Sequence, residues 1–198
     1  YRILGNFWRA DWPLFGRLIV IGAPISATFL LEYGLFAAAA LLMGWLGTTP
    51  LAAHQIALTV ASVLFMVPFG VSMAATTRVG QAVGRREPEG TRVAGFTAIG
   101  VSVAFMAAMT LIVVAARHHI PGLFLGMDAP GSADTAALAA TLLLVGATFF
   151  IVDGVQSVAA GALRGLNDTR VPLLFSAISF WVVGFSGCYY LGFTLGLG

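Results

Sequence analysis

The sequence contains little charge and no lysine. Only 9% of its 198 residues are charged, whereas a soluble domain usually carries about 25%. Hydrophobic residues make up 59% of the chain, and the mean hydropathy is +0.95. This composition excludes an ordinary soluble domain and indicates a polytopic membrane protein. Lipid tolerates only helices and closed barrels, and no alternating strand pattern occurs, so we expect an all-α membrane bundle.

Cysteine is almost absent as well. The single cysteine, Cys188, lies in an apolar run and cannot form an intrachain disulfide. No Cys and His spacing predicts a structural metal site. The sequence also shows no nucleophile with a neighbouring base and no phosphate-binding loop. We therefore expect a protein that is not an enzyme and that has no cofactor.

Five long apolar segments are separated by short polar stretches. A bilayer core needs about 20 apolar residues per helix, and we place five transmembrane spans at 17–45, 52–78, 92–117, 133–163 and 170–195. Together they form one transmembrane unit over residues 17–198. Residues 1–16 combine Phe7, Trp8 and Trp12 with charged residues, a pattern typical of an interfacial lead-in at the cytoplasmic surface.

The arginines predict the orientation of the spans. If five spans alternate in direction, Arg117 lies on one side of the membrane and the other nine arginines lie on the opposite side. Such an excess marks the cytoplasmic face, which predicts that the N-terminus and the loops 84–92 and 164–170 are cytoplasmic. Topology thus accounts for the pI of about 9.1, and we expect no nucleic-acid partner.

Two carboxylates lie inside the apolar runs. Glu32 interrupts an otherwise uncharged stretch over 18–77, and Asp153 interrupts another over 135–163. An ionisable group at membrane depth costs at least about 2.5–3.5 kcal/mol and marks ion sites, proton relays or substrate paths. A hydrogen bond that pins two helices together is the structural alternative. Two such acids in one small bundle favour a transport function.

Both acids are predicted to lie near the middle of the membrane. Glu32 follows Arg17 by 15 residues, or about 22 Å along a helix, and Asp153 precedes Arg164 by 11 residues, or about 16 Å. Oxygen ligands near them suit Na⁺, and apolar surroundings that disfavour a charged carboxylate suit proton exchange. The candidate residues lining a cation site or drug cleft are Thr28, Tyr33, Phe36, Phe149, Gln156 and Ser157.

Four motifs occur in a fixed order along the chain. They are Gly22-Ala23-Pro24 followed by Glu32; the run 51–58 with His54-Gln55; Pro68-Phe69-Gly70 leading to Thr77-Arg78; and Asp153 with Gln156, followed by the runs 161–165 and 168–170. In this order and spacing the whole chain resembles the C-terminal half of a multidrug and toxic compound extrusion (MATE) transporter of the NorM-like branch. The resemblance covers helices seven to eleven.

The resemblance implies a twelve-helix transporter with two six-helix lobes around a central cleft. Such a transporter is an antiporter that exports cationic, often aromatic drugs or dyes in exchange for Na⁺ or H⁺. Glu32 and Asp153 match acidic positions implicated in cation coupling, which makes Na⁺ a possible ion at both. Some members place a tyrosine one turn before the second acid, whereas this chain has Phe149. That departure puts a ligand role at Phe149 in doubt.

The same resemblance implies a bacterial inner-membrane protein and a chain that is part of a longer one. We expect the chain to lack two parts of the transporter. One is the N-terminal lobe, which would form the other half of the cleft, and the other is the last helix. Two alternatives remain open. A flippase for lipid-linked saccharides shares the general architecture and would need a basic cavity for a pyrophosphate. A non-transporting membrane scaffold subunit would not need the paired acids.

Overall fold

The computed structural model describes residues 12–125 and 132–190, and all regular structure within them is helical. A short 3₁₀ turn, Pro121–Leu123, follows the third helix. The six main helices are α1 (Trp12–Leu46), α2 (Thr48–Gly84), α3 (Pro88–Ala116), α4 (Ser132–Ala147), α5 (Phe150–Gly165) and α6 (Arg170–Tyr189).

The helices form a membrane bundle, as the composition predicts. Four helices, α1, α2, α3 and α6, are long and apolar enough to cross a bilayer, and α4 with α5 makes a fifth crossing if that bent pair is one span. Residues 1–11 of the predicted lead-in and 191–195 of the last predicted span lie outside the described residues. The rest of the lead-in, from Trp12, belongs to α1.

The predicted span 133–163 is not one continuous helix. Its two parts, α4 and α5, meet at an angle of 51°. The Thr148 hydroxyl donates a hydrogen bond of 2.7 Å to the Val145 carbonyl, while the amides of Thr148 and Phe149 bond three residues back, to Val145 and Gly146. A threonine hydroxyl that bonds to its own backbone competes with the helical ladder. The sequence contains no proline here, so the break was not foreseen.

Helix α2 occupies the centre of the bundle and packs most extensively against α5 and α3. Glycines bring α2 and α5 close together: a Cβ atom at Gly161 would overlap Ser72, and one at Gly165 would lie 2.7 Å from the Thr76 carbonyl oxygen. Small residues permit such approach in membranes, where packing rather than the hydrophobic effect holds helices together.

Two hydroxyl groups on α2 complete this contact, which we call the α2–α5 seam. Ser72 donates to the Ser157 carbonyl at 2.7 Å, and Thr76 donates to the Gly161 carbonyl at 2.8 Å. Hydrogen bonds between membrane helices contribute about 0.6–2 kcal/mol each. The seam thus sets the rotation of α5 about its own axis.

Helices α1 and α6 pack together along the side of this centre. The Trp181 indole N–H donates to the Leu31 carbonyl at 3.1 Å, and a Cβ atom at Gly34 would lie 3.2 Å from the Trp181 ring. Around Trp181, α6 adopts the wide π-helical form over Ala177–Phe185. Such wide turns occur often at functional sites.

The seam generates a stability prediction. We expect Gly161→Ala to lower the thermal unfolding midpoint of the detergent-purified full-length parent protein, because the added methyl group has no space beside Ser72. Overpacking of this kind costs about 1–3 kcal/mol. Gly100→Ala is the matched control, since nothing lies within 4 Å of its Cβ position and alanine favours a helix over glycine. Equal midpoints for both variants would contradict the close packing.

Candidate functional site

A small cavity of about 30 Å³ lies where α1, α2, α5 and α6 meet. It contains both intramembrane acids, together with hydroxyl, amide, aromatic and guanidinium groups. The lining residues are Thr28, Phe29, Glu32, Phe65, Phe69, Asp153, Gln156, Ser157, Ala160, Arg164 and Ser176. Because four helices contribute to one polar cavity, the site exists only in the folded bundle.

Glu32 and Asp153 reach the cavity from different helices. Glu32 lies in the interior of α1, whereas Asp153 lies in the first turn of α5. The break before Phe150 therefore gives Asp153 a helix N-terminus, whose partial positive charge stabilises a carboxylate. The Glu32 carboxylate interacts electrostatically with both Asp153 and Arg164. Like charges repel across the cavity, and a cation between them would relieve that repulsion.

The Glu32 and Asp153 carboxylates make no structural hydrogen bonds or ion pairs with the described residues. Within the described residues, neither the Glu32 nor the Asp153 side chain forms a hydrogen bond or an ion pair. This differs from the structural alternative, in which each acid would pin two helices together. The carboxylate oxygens therefore remain available to a ligand that enters the cavity.

The neutral oxygens of the cavity are held in place by the backbone. Thr28 is 5% exposed, and its hydroxyl donates to the Pro24 carbonyl at 2.9 Å, which leaves lone pairs free to accept. Ser157 belongs to the α2–α5 seam through its carbonyl, and Gln156 precedes it on α5. Proline at position 24 cannot donate to the Val20 carbonyl, which favours a bend one turn before the site.

An aromatic wall faces the acids. The Phe29 and Phe69 rings meet at an angle of 66° with centroids 6.3 Å apart, and Phe65 lies 6.3 Å from Phe69. The Arg164 guanidinium lies over the Phe29 ring at 5.1 Å, within the range of a cation–π contact. The Arg164 side chain is thus a cation that packs against an aromatic face within the site.

Five of the eight predicted site residues line this one cavity: Thr28, Glu32, Asp153, Gln156 and Ser157. The other three do not. The Tyr33, Phe36 and Phe149 side chains are 70%, 42% and 54% exposed on the bundle. The Phe149 ring packs edge-on against Phe150, at 6.3 Å. Phe149 is the residue before α5, and its carbonyl accepts a hydrogen bond of 2.9 Å from the Asp153 amide, but its side chain does not line the cavity.

Sequence reasoning missed the aromatic wall and Arg164. Phe29 lies three residues before Glu32, and Phe65 and Phe69 are one turn apart on α2, so helical spacing could have grouped each with its neighbours. Arg164 was assigned to the loop 164–170, but α5 continues through it to Gly165. No local signal links Ser176 to the acids, because only the packing of α6 brings it there.

The donor set fits a hard monovalent cation. Two carboxylates with hydroxyl and amide oxygens are the ligands that such cations prefer. Among the described residues, no group of three or more His, Cys, Asp or Glu side chains could hold a metal ion.

Comparison with known proteins identifies the family of the chain. A family model described as MatE matches residues 24–190. "Probable multidrug resistance protein NorM" of Rhodopseudomonas palustris is 60% identical over 198 residues, which cover all of this chain and 42% of the relative. The protein of the same name from Bradyrhizobium diazoefficiens is 56% identical over the same shares of the two chains.

A third relative, "Multidrug resistance protein NorM" of Burkholderia vietnamiensis, is 50% identical over 190 residues, or 96% of this chain and 41% of the relative. The chain thus spans about two fifths of the length of the curated relatives that it matches. The MatE match includes every residue that lines the cavity. The chain is an integral membrane protein that belongs to the MatE family.

Proposed function

We propose that this chain forms part of a cation-coupled multidrug efflux antiporter, in which Glu32 and Asp153 bind the coupling ion, Na⁺ or H⁺. The supporting observation is the shared cavity, which holds two acids free of structural hydrogen bonds. The multidrug resistance names of the relatives support efflux of drugs. Cationic, often aromatic compounds are the substrates that acids beside an aromatic wall favour.

Coupling follows from differential affinity for two conformations. An ion held by both carboxylates favours the conformation in which α1 and α5 bring them together. An antiporter releases that ion when the drug stabilises the other conformation. The break between α4 and α5 and the proline at position 24 inside α1 are places where these helices could change direction. Discontinuous helices serve this purpose in other transporters.

The remaining features of the proposal concern location. The excess of arginine near α2, α3 and α5 supports a cytoplasmic position for the loops 84–92 and 164–170, and therefore for the N-terminus. The bacterial sources of the relatives support the inner membrane. The first lobe of the transporter is the partner that would complete the drug cleft.

The two rival functions fit the cavity less well. A flippase for lipid-linked saccharides must bind a pyrophosphate, and two carboxylates beside one arginine repel such an anion. A non-transporting scaffold would bury its acids in structural hydrogen bonds or dispense with them. The same variants test all three functions.

We expect Glu32→Gln and Asp153→Asn, each in the full-length parent protein, to reduce ion-driven efflux of a cationic dye to the background level. Each amide keeps the shape of the acid but cannot carry the charge that binds the ion. Efflux is measured in proteoliposomes with a Na⁺ gradient or a pH gradient imposed separately, which also identifies the ion. Asp134→Asn, a surface carboxylate outside the cavity, serves as the control. Normal efflux in both site variants at normal expression would refute the proposal.

A second prediction concerns Arg164. Its guanidinium faces Glu32 in the cavity and opposes the entry of another cation. We expect Arg164→Gln to lower the half-saturating concentration of the coupling ion by about tenfold, since a neighbouring charge of this kind changes binding by roughly 1–2 kcal/mol. Arg170→Gln, outside the cavity and exposed, should leave that concentration unchanged. An unchanged or raised value for Arg164→Gln would contradict the role.

A further inference from the structure

A groove larger than the cavity around Glu32 and Asp153 lies between α2 and α3, and the two share no lining residue. The groove has a volume of about 510 Å³, and most of its lining consists of small apolar side chains such as Ala74, Ala94 and Ala98. The valines at its rim, Val93 and Val101, are 57% and 51% exposed. The groove therefore opens on the outer surface of the bundle formed by the described residues.

Two arginines line this groove: Arg85, in the turn after α2, lies at one end, and Arg78 lies seven residues earlier on α2, about 10 Å further along the helix. Arg78 forms no ion pair with any described residue, whereas Arg85 pairs with Glu87 at 3.2 Å. That pair is more than half exposed on both sides, and such pairs contribute little. The surrounding segment, 78–92, contains four arginines and two glutamates. The charge at this end therefore suits an anion.

The length of the groove matches one leaflet of a bilayer. Its α3 side extends from Gly90 to Val101, and eleven residues of helix rise about 16 Å. Half of a hydrocarbon core of about 30 Å is about 15 Å. An acyl chain in the groove would therefore run from the level of Arg85, past Arg78, to about the bilayer centre.

We propose that this groove binds an anionic phospholipid, with one acyl chain between α2 and α3 and the phosphate held by Arg78 and Arg85. Basic residues at the edge of a cleft between membrane helices suit an anionic head group. A cationic drug is a poor occupant because both arginines repel it. A further protein segment would need acidic residues at the same level. The proposal does not depend on the coupling function of Glu32 and Asp153.

The test uses the full-length parent protein in detergent, titrated with phosphatidylglycerol or with phosphatidylcholine of the same acyl chains and followed by native mass spectrometry. We expect retained phosphatidylglycerol to exceed phosphatidylcholine. The double variant Arg78→Gln/Arg85→Gln should weaken phosphatidylglycerol binding by about 10- to 30-fold, since each basic contact contributes about 1 kcal/mol. Arg86→Gln is the control, because Arg86 is exposed next to Arg85 but does not line the groove.

A second variant tests the acyl chain. Ala98→Leu fills the groove without changing its charge, so we expect it to weaken phosphatidylglycerol binding while the protein retains its unfolding midpoint. Inorganic phosphate at millimolar concentration should not displace the lipid. Equal binding of the two lipids would overturn the proposal. So would an equal loss in Arg86→Gln, displacement by phosphate alone, or full binding by the Ala98→Leu variant.

Discussion

The close contact between α2 and α5 is the constraint on which the rest of the structure depends. Gly161 and Gly165 allow the backbones to approach, and the Ser72 and Thr76 hydroxyls bond to carbonyls of α5 across the gap. This contact sets which side of α5 faces the cavity. A helix rotated by one residue would turn its side chains by about 100°, and Asp153 would then leave the cavity. The packing of α5 against α2 therefore also determines the position of Asp153 in the cavity.

An acid in the membrane is costly, and the bundle offsets that cost in two ways. The break at Thr148 places Asp153 in a first helical turn, where the helix dipole favours negative charge. Arg164 supplies a positive charge near Glu32. Neither device neutralises an acid through direct hydrogen bonds or ion pairs.

The acidic cavity and the basic groove lie at different places on the bundle and share no lining residue. Carboxylates and aromatic rings line the cavity between α1, α2, α5 and α6, whereas arginines and small apolar residues line the groove between α2 and α3. Helix α2 contributes to both, with Phe65 and Phe69 at the cavity and Ala74 and Arg78 at the groove. A lipid in the groove would therefore contact α2, the same helix that contributes Phe65 and Phe69 to the cavity.

The sequence alone determined the class of fold and the family, because long uncharged runs and ordered motifs are local properties of the chain. It also identified both acids, since a charge in an apolar run is visible without a structure. Only the structure revealed the break between α4 and α5, where the amides of Thr148 and Phe149 bond three residues back. Only packing placed Arg164 over Phe29 and left Tyr33, Phe36 and Phe149 outside the cavity. Helical spacing shows which residues share a face, but the face that meets another helix is chosen by contacts between distant segments.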